Sequence, residues 1–128
     1  MNEEECSEMQ KNVPLLATVS QPDLDQLLAK QGVLVKTCAA GELIHLAGER
    51  CDRIDVILDG RVMIEHNEAD GRFLVITQLG PGDLIGGQVI FSARPFYPMT
   101  LTAGQPTRIL SISRPDLLDL MRSQDAFL

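Results

Sequence analysis

No stretch of this 128-residue chain approaches the ~18 consecutive apolar residues that a membrane-spanning helix needs. Basic residues are also short: 11 Lys and Arg stand against 18 Asp and Glu, a net charge of −7. Nucleic-acid affinity comes mainly from Lys and Arg neutralising phosphates, so a domain this acidic is a poor holder of DNA or RNA by itself. Histidine is scarce, with only His45 and His66, far apart in sequence. A barrel metalloenzyme needs several His and Glu side chains converging on one metal, and that set is missing. The three cysteines, Cys6, Cys38 and Cys51, are too few for an all-thiolate iron–sulfur cluster and too scattered for a disulfide framework. They fit a reducing compartment, and the cytoplasm is the expected location. No Gly-x-Ser-x-Gly elbow and no Walker loop occurs. The start carries Glu3, Glu4, Glu5 and Glu8 where a secretory signal would be basic and then apolar. Catalysis is not expected, nor is a metal or other cofactor, nor a membrane.

What is present is ordinary globular composition, 45% hydrophobic and 23% charged, in a length that fits one domain with a real core. Residues 1–12 read as a flexible acidic arm and 13–128 as the domain. Ser20-Gln-Pro-Asp23 has the pattern of a helix start, with Leu24, Leu27 and Leu28 on one face and Gly32 as the stop. From Val33 to Ser113, short runs of Val, Ile and Leu alternate with turn signals. Strands are expected at Val33–Thr37, Leu43–Leu46, Arg53–Leu58, Arg61–Glu65, Phe73–Gln78, Thr100–Ala103 and Thr107–Ser113. Ala40-Gly41, Ala47-Gly48, Asp59-Gly60, Asp70-Gly71 and Gly80-Pro81-Gly82 mark the turns. Ser113-Arg-Pro-Asp116 then opens a second helix bearing Leu117, Leu118, Leu120 and Met121. The class is α+β: an antiparallel sandwich, roll or barrel, flanked by short N- and C-terminal helices.

The stretch Ala40-Gly-Glu-Leu-Ile-His-Leu-Ala-Gly-Glu49, followed by Asp52-Arg-Ile-Asp-Val-Ile-Leu-Asp-Gly-Arg-Val62, resembles the β-roll of the cyclic-nucleotide-binding domain. It is most similar to the sensor domain of the Crp/Fnr family of bacterial transcription regulators. Val13-Pro-Leu-Leu16, the Asp70-Gly71 hairpin, Leu79-Gly-Pro-Gly-Asp-Leu-Ile-Gly86 and Ile109-Leu-Ser-Ile-Ser113 match further pieces in the same order. The resemblance covers residues 13–128 and implies that the sheet unit is an antiparallel β-roll, jelly-roll-like. It implies a phosphate-binding cassette after Gly82 and Gly86, opening into a short helix whose free N–H groups suit an anion.

In family members that bind cyclic nucleotides, the cassette carries Gly-Glu at its helix start and Arg-Ser or Arg-Thr further along. The Glu accepts from the ribose and the Arg pairs with the phosphate. Here the Glu position is Gly87, and the Arg position falls near Tyr97 or Pro98. Loss of two charge-assisted contacts, each worth ~1.5–3 kcal/mol, predicts that the domain does not bind cAMP or cGMP. Instead Phe91, Phe96, Tyr97, Pro98 and Met99 make this loop apolar and aromatic. Such a lining suits a small organic ligand. The ligand-binding candidates are Gly86, Gly87, Gln88, Arg94, Tyr97, Pro98 and Met99. Gln88 and Arg94 are the polar anchors, and the Gly86 and Gly87 amides are placed to take a carboxylate. The alternative is that the loop fills the old pocket with its own side chains.

The resemblance therefore implies an effector-sensing domain for a small molecule other than a cyclic nucleotide. It implies a homodimer in a longer parent protein, with DNA contacted only through a C-terminal helix-turn-helix domain that this chain lacks. The alternatives are a haem or redox sensor using Cys38, Cys51 or a histidine, a ligand-free interaction module, and a small β-barrel enzyme.

Overall fold

The computed structural model describes residues 25, 26, 28–67 and 71–123. The expected acidic arm, the Val13–Leu16 turn and most of the first helix lie outside these residues. Of that helix, Asp25, Gln26, Leu28 and Ala29 are helical. Eight strands follow: β1 (Val33–Cys38), β2 (Leu43–His45), β3 (Arg53–Asp59), β4 (Val62–Asn67), β5 (Phe73–Leu79), β6 (Leu84–Ile85), β7 (Thr100–Ala103) and β8 (Thr107–Ser113). They form two four-stranded sheets, β1-β8-β3-β6 and β2-β7-β4-β5, antiparallel throughout. The antiparallel strands expected from the turn spacing, and the roll implied by the resemblance, are the fold observed. The sequence pattern missed only β6, whose two residues are too short to alternate.

The core sits between the sheets. Val56, Ile57, Ile109, Leu110 and Ile112 are fully buried. Strand β3 is buried at five consecutive positions, Ile54–Leu58. An ordinary half-exposed antiparallel strand alternates; this one does not, because helix α1 (Arg114–Ser123) packs on β3 and β8 from the outside. Leu117 and Leu120 supply that contact and are buried. The helix starts where the Ser-x-x-Asp pattern placed it. The Ser113 hydroxyl donates to the Asp116 carboxylate at 2.9 Å and accepts from the Asp116 amide at 3.4 Å, a side-chain cap on the first turn.

The Asp59-Gly60 turn shows why the glycines matter. Gly60 has φ of 104°, and a Cβ there would stand 2.6 Å from the Thr107 Cα. The opposite edge of the second sheet is less protected. Leu74, Val75 and Ile76 of β5 are all exposed. No helix among the described residues is long and apolar enough to cross a membrane.

Candidate functional site

The segment between β6 and β7 arches over the second sheet. At Gly86 the backbone turns with φ of 91°, and a Cβ there would meet the Cys51 Sγ at 2.9 Å and the Arg53 carbonyl at 3.1 Å. The amides of Val89 and Ile90 both donate to the Gly86 carbonyl, at 3.1 and 2.9 Å. Here the structure corrects the sequence expectation: this is a single turn and not a short helix. The reason is local. The Ser92 amide and hydroxyl both donate to the Val89 carbonyl, and Pro95 has no N–H and restricts Arg94 before it. Helical propagation stops there.

The chain then returns along residues 95–97 and is bonded to residues 48–51. Cys51 N donates to Pro95 O at 2.6 Å, Tyr97 N to Glu49 O at 2.9 Å and Gly48 N to Tyr97 O at 2.8 Å. These bonds hold the returning arm away from the sheet. A cavity of about 600 Å³ remains beneath the arch. Its floor is Ile64 of β4, Leu79 of β5 and Leu101 of β7, with Leu84 and Ile85 at one side. Its roof is Gly86, Gly87, Gln88 and Val89, with Tyr97, Pro98 and Met99 closing the far wall. No lining residue carries a charge.

Six of the seven candidate residues thus surround one cavity: Gly86, Gly87, Gln88, Tyr97, Pro98 and Met99. Arg94 does not line it. It is exposed at the tip of the loop, just before Pro95, so its expected role as an anchor has no geometric support. Phe91 and Phe96 also point outward, and the Arg114 guanidinium covers the Phe91 ring at 5.3 Å. The loop does not fill the cavity with its own side chains. The floor was missed in sequence because it comes from three strands separated along the chain. Its one local signal was the alternation of Val62 and Ile64 in β4.

Beneath the far wall lies a cluster that the sequence pattern did not reveal. His45 is buried, and its Nδ1 and Nε2 each lie 2.6 Å from a carboxylate, Glu49 and Asp55 respectively. Both ring nitrogens can donate at once only in the imidazolium form. Burial pulls the imidazole down, but the hydrogen bonds to Asp55 and Glu49 outweigh it, and the His45 pKa is raised. Burial pushes Asp55 up; the His45 hydrogen bond, with Ser111 and Lys36 nearby, overrides this and lowers its pKa. The Tyr97 ring stacks on the imidazole. Its hydroxyl is buried with no hydrogen-bond partner, since the neighbouring Cys51 thiol is turned to the carbonyls of Arg53 and Gly86. Burial, with Cys51 and Asp55 beside it, raises the Tyr97 pKa.

The redox alternative fares poorly on this geometry. Cys38 and Cys51 are buried free thiols outside the cavity lining, and burial with Glu42 nearby raises the Cys38 pKa, opposite to a reactive thiolate. Neither His45 nitrogen can ligate iron without giving up a carboxylate. Among the described residues no group of three or more His, Cys, Asp or Glu side chains is arranged to hold a metal ion.

A family model described as the cyclic nucleotide-binding domain matches residues 35–124. A CRP-like cAMP-activated global transcriptional regulator of Mycobacterium tuberculosis is 30% identical, the match covering 70% of this chain and 46% of that one. The chain thus spans about half the length of the curated relatives it matches first. A transcriptional regulator of Thermotoga maritima superimposes with a TM-score of 0.71 at 29% identity, covering 80% of this chain and 78% of that one. The sensor domain of the transcriptional regulator DNR from Pseudomonas aeruginosa gives a TM-score of 0.80 at 17% identity, covering 98% and 84%. The last likeness concerns the fold alone.

Proposed function

Because the chain belongs to the cyclic nucleotide-binding domain family, we propose that it is the effector-sensing domain of a Crp/Fnr-type transcription regulator, and that its effector is a small molecule other than cAMP or cGMP. The observation that carries this reading is the uncharged lining of the cavity beneath the arch. A cyclic phosphate is an anion and, taken out of water, needs a cation to balance it. Gly87 stands where the resemblance places the ribose-binding carboxylate, and Tyr97 and Pro98 where it places the phosphate-binding cation. None of these side chains can supply a charge at neutral pH. The single turn after Gly86 is also too short to offer the aligned dipole of a helix start. The cavity is nevertheless held open, and its volume falls in the range of small-molecule sites, roughly 300–1,000 Å³.

In this reading the regulator is a homodimer and reaches DNA through a separate domain. Ligand occupancy biases the arch and, through it, the helices that follow the roll. Isothermal titration of the chain with cAMP and with cGMP tests the proposal. No saturable heat is expected up to millimolar nucleotide. Micromolar binding of either would overturn it.

A further inference from the structure

We infer that the effector is an uncharged, predominantly apolar organic molecule that sits on Ile64, Leu79 and Leu101 and contacts Gln88 with a single neutral polar group. This rests on the effector-domain reading above. Aliphatic side chains form the floor, and Pro98 and Met99 continue the apolar surface. An ionised ligand buried there would lose its hydration with no counter-ion to replace it. No arginine lines the cavity, and three nearby ones are engaged elsewhere. Arg53 donates to Ser111 and to the Gly32 carbonyl, Arg108 pairs with Asp59, and Arg114 lies over Phe91. The polar side of the cavity is small and neutral. It comprises the exposed Gln88 side chain and the amides of Gly87 and Gln88, which have no backbone acceptor among the described residues. A hydroxyl or carbonyl oxygen matches these donors. The ligand also meets one rigid and one adaptable wall. Tyr97 is fixed by its backbone bonds and by His45, whereas Met99 is half-buried with a flexible thioether that can follow the ligand's shape.

The test uses the full chain and the neutral fluorophore N-phenyl-1-naphthylamine, with decan-1-ol and decanoate as competitors that share one chain length and differ in charge. Saturable one-site binding of the fluorophore is expected, with displacement by decan-1-ol at a concentration at least about tenfold lower than decanoate. Leu79→Lys and Met99→Trp place a charge and a bulky ring in the cavity from different elements. Each should weaken the fluorophore at least about tenfold while leaving the circular dichroism spectrum unchanged. If one variant misfolds, the other still reads the site. Absent binding, or binding that both folded variants leave intact, overturns the inference, the latter because it places the probe elsewhere, as on the exposed Leu74–Ile76 strand. Tighter competition by decanoate overturns the ligand class while leaving a non-nucleotide effector standing. Displacement by cAMP at micromolar concentration overturns the effector reading itself.

Discussion

The Tyr97 ring lies flat on the His45 imidazole, with centroids 4.2 Å apart and planes inclined by 13°. This contact joins the wall of the cavity to the ionic cluster that ties the two sheets together. His45 belongs to β2 of one sheet and Asp55 to β3 of the other. Tyr97 is only 4% exposed, so a ligand pressing on it presses on His45.

The cluster gives stability a defined pH dependence. His45 has a folded pKa raised above its ordinary value of 6.5, so its contribution is fully present below that value and is lost as pH rises through the folded pKa. Asp55 is lowered from 3.8, so its contribution is present above that value and is lost as pH falls through the folded pKa. Urea midpoints should therefore peak in the mildly acidic to neutral range and fall on both sides. His45→Gln should flatten the alkaline limb. An alkaline limb of equal slope in that variant would contradict the assignment.

Removal of one partner from the buried pair should be costly. Asp55→Ala leaves His45 with the half-exposed Glu49 as its only carboxylate and is expected to lose about 3–5 kcal/mol of unfolding free energy. Chemical denaturation monitored by circular dichroism measures this.

At position 97 the ring and the hydroxyl have opposite worth. Tyr97→Phe keeps the stack on His45 and removes a buried hydroxyl that has no partner, so stability should be unchanged or raised by up to about 1 kcal/mol. Tyr97→Ala removes the ring and should cost about 3–5 kcal/mol. A loss with Phe as large as with Ala would show that the hydroxyl, and not the stack, carries the contact.

The two adjacent glycines should respond differently to the same methyl group. Gly86→Ala forces a side chain into a positive-φ position against Cys51 and should cost at least about 1–2 kcal/mol. At Gly87 a Cβ meets nothing nearer than Ile54 Cδ1 at 3.7 Å, so Gly87→Ala should stay within about 0.5 kcal/mol of the parent. Thermal or urea unfolding of the two variants gives the comparison directly.

Much of this architecture was legible in the sequence because it is written in local signals. β7 and β8 have the bounds their Val, Ile and Leu runs suggest, and the Ser113–Asp116 cap marks the start of α1. The misses have separate physical causes. The helix expected after Gly86 ends after one turn because Ser92 and Pro95, several residues on, withhold what propagation needs. Arg94 looked like an anchor from its position in the loop, but the loop's return at Pro95 turns it outward. The His45–Asp55 bond crosses from one sheet to the other, and no spacing rule anticipates it. Ile64 and Leu101 become neighbours only because β4 pairs with β7.

If missing charges are what exclude cyclic nucleotides, restoring them should admit one. Gly87→Glu combined with Pro98→Arg puts an acid and a cation on opposite walls of the cavity without disturbing Tyr97. Each charge-assisted contact is worth ~1.5–3 kcal/mol, so cAMP affinity should rise about a hundredfold or more over the parent. Calorimetry of the double variant reads this gain.

The central claim is that this cavity, as it stands, does not accept a cyclic nucleotide. The most direct measurement is a ¹H–¹⁵N correlation spectrum of the unmodified chain during titration with cAMP, read at the amides of Gly86, Gly87, Gln88 and Val89. The account predicts that these resonances do not move up to millimolar nucleotide. Saturable shifts at these four amides in the micromolar range would contradict it.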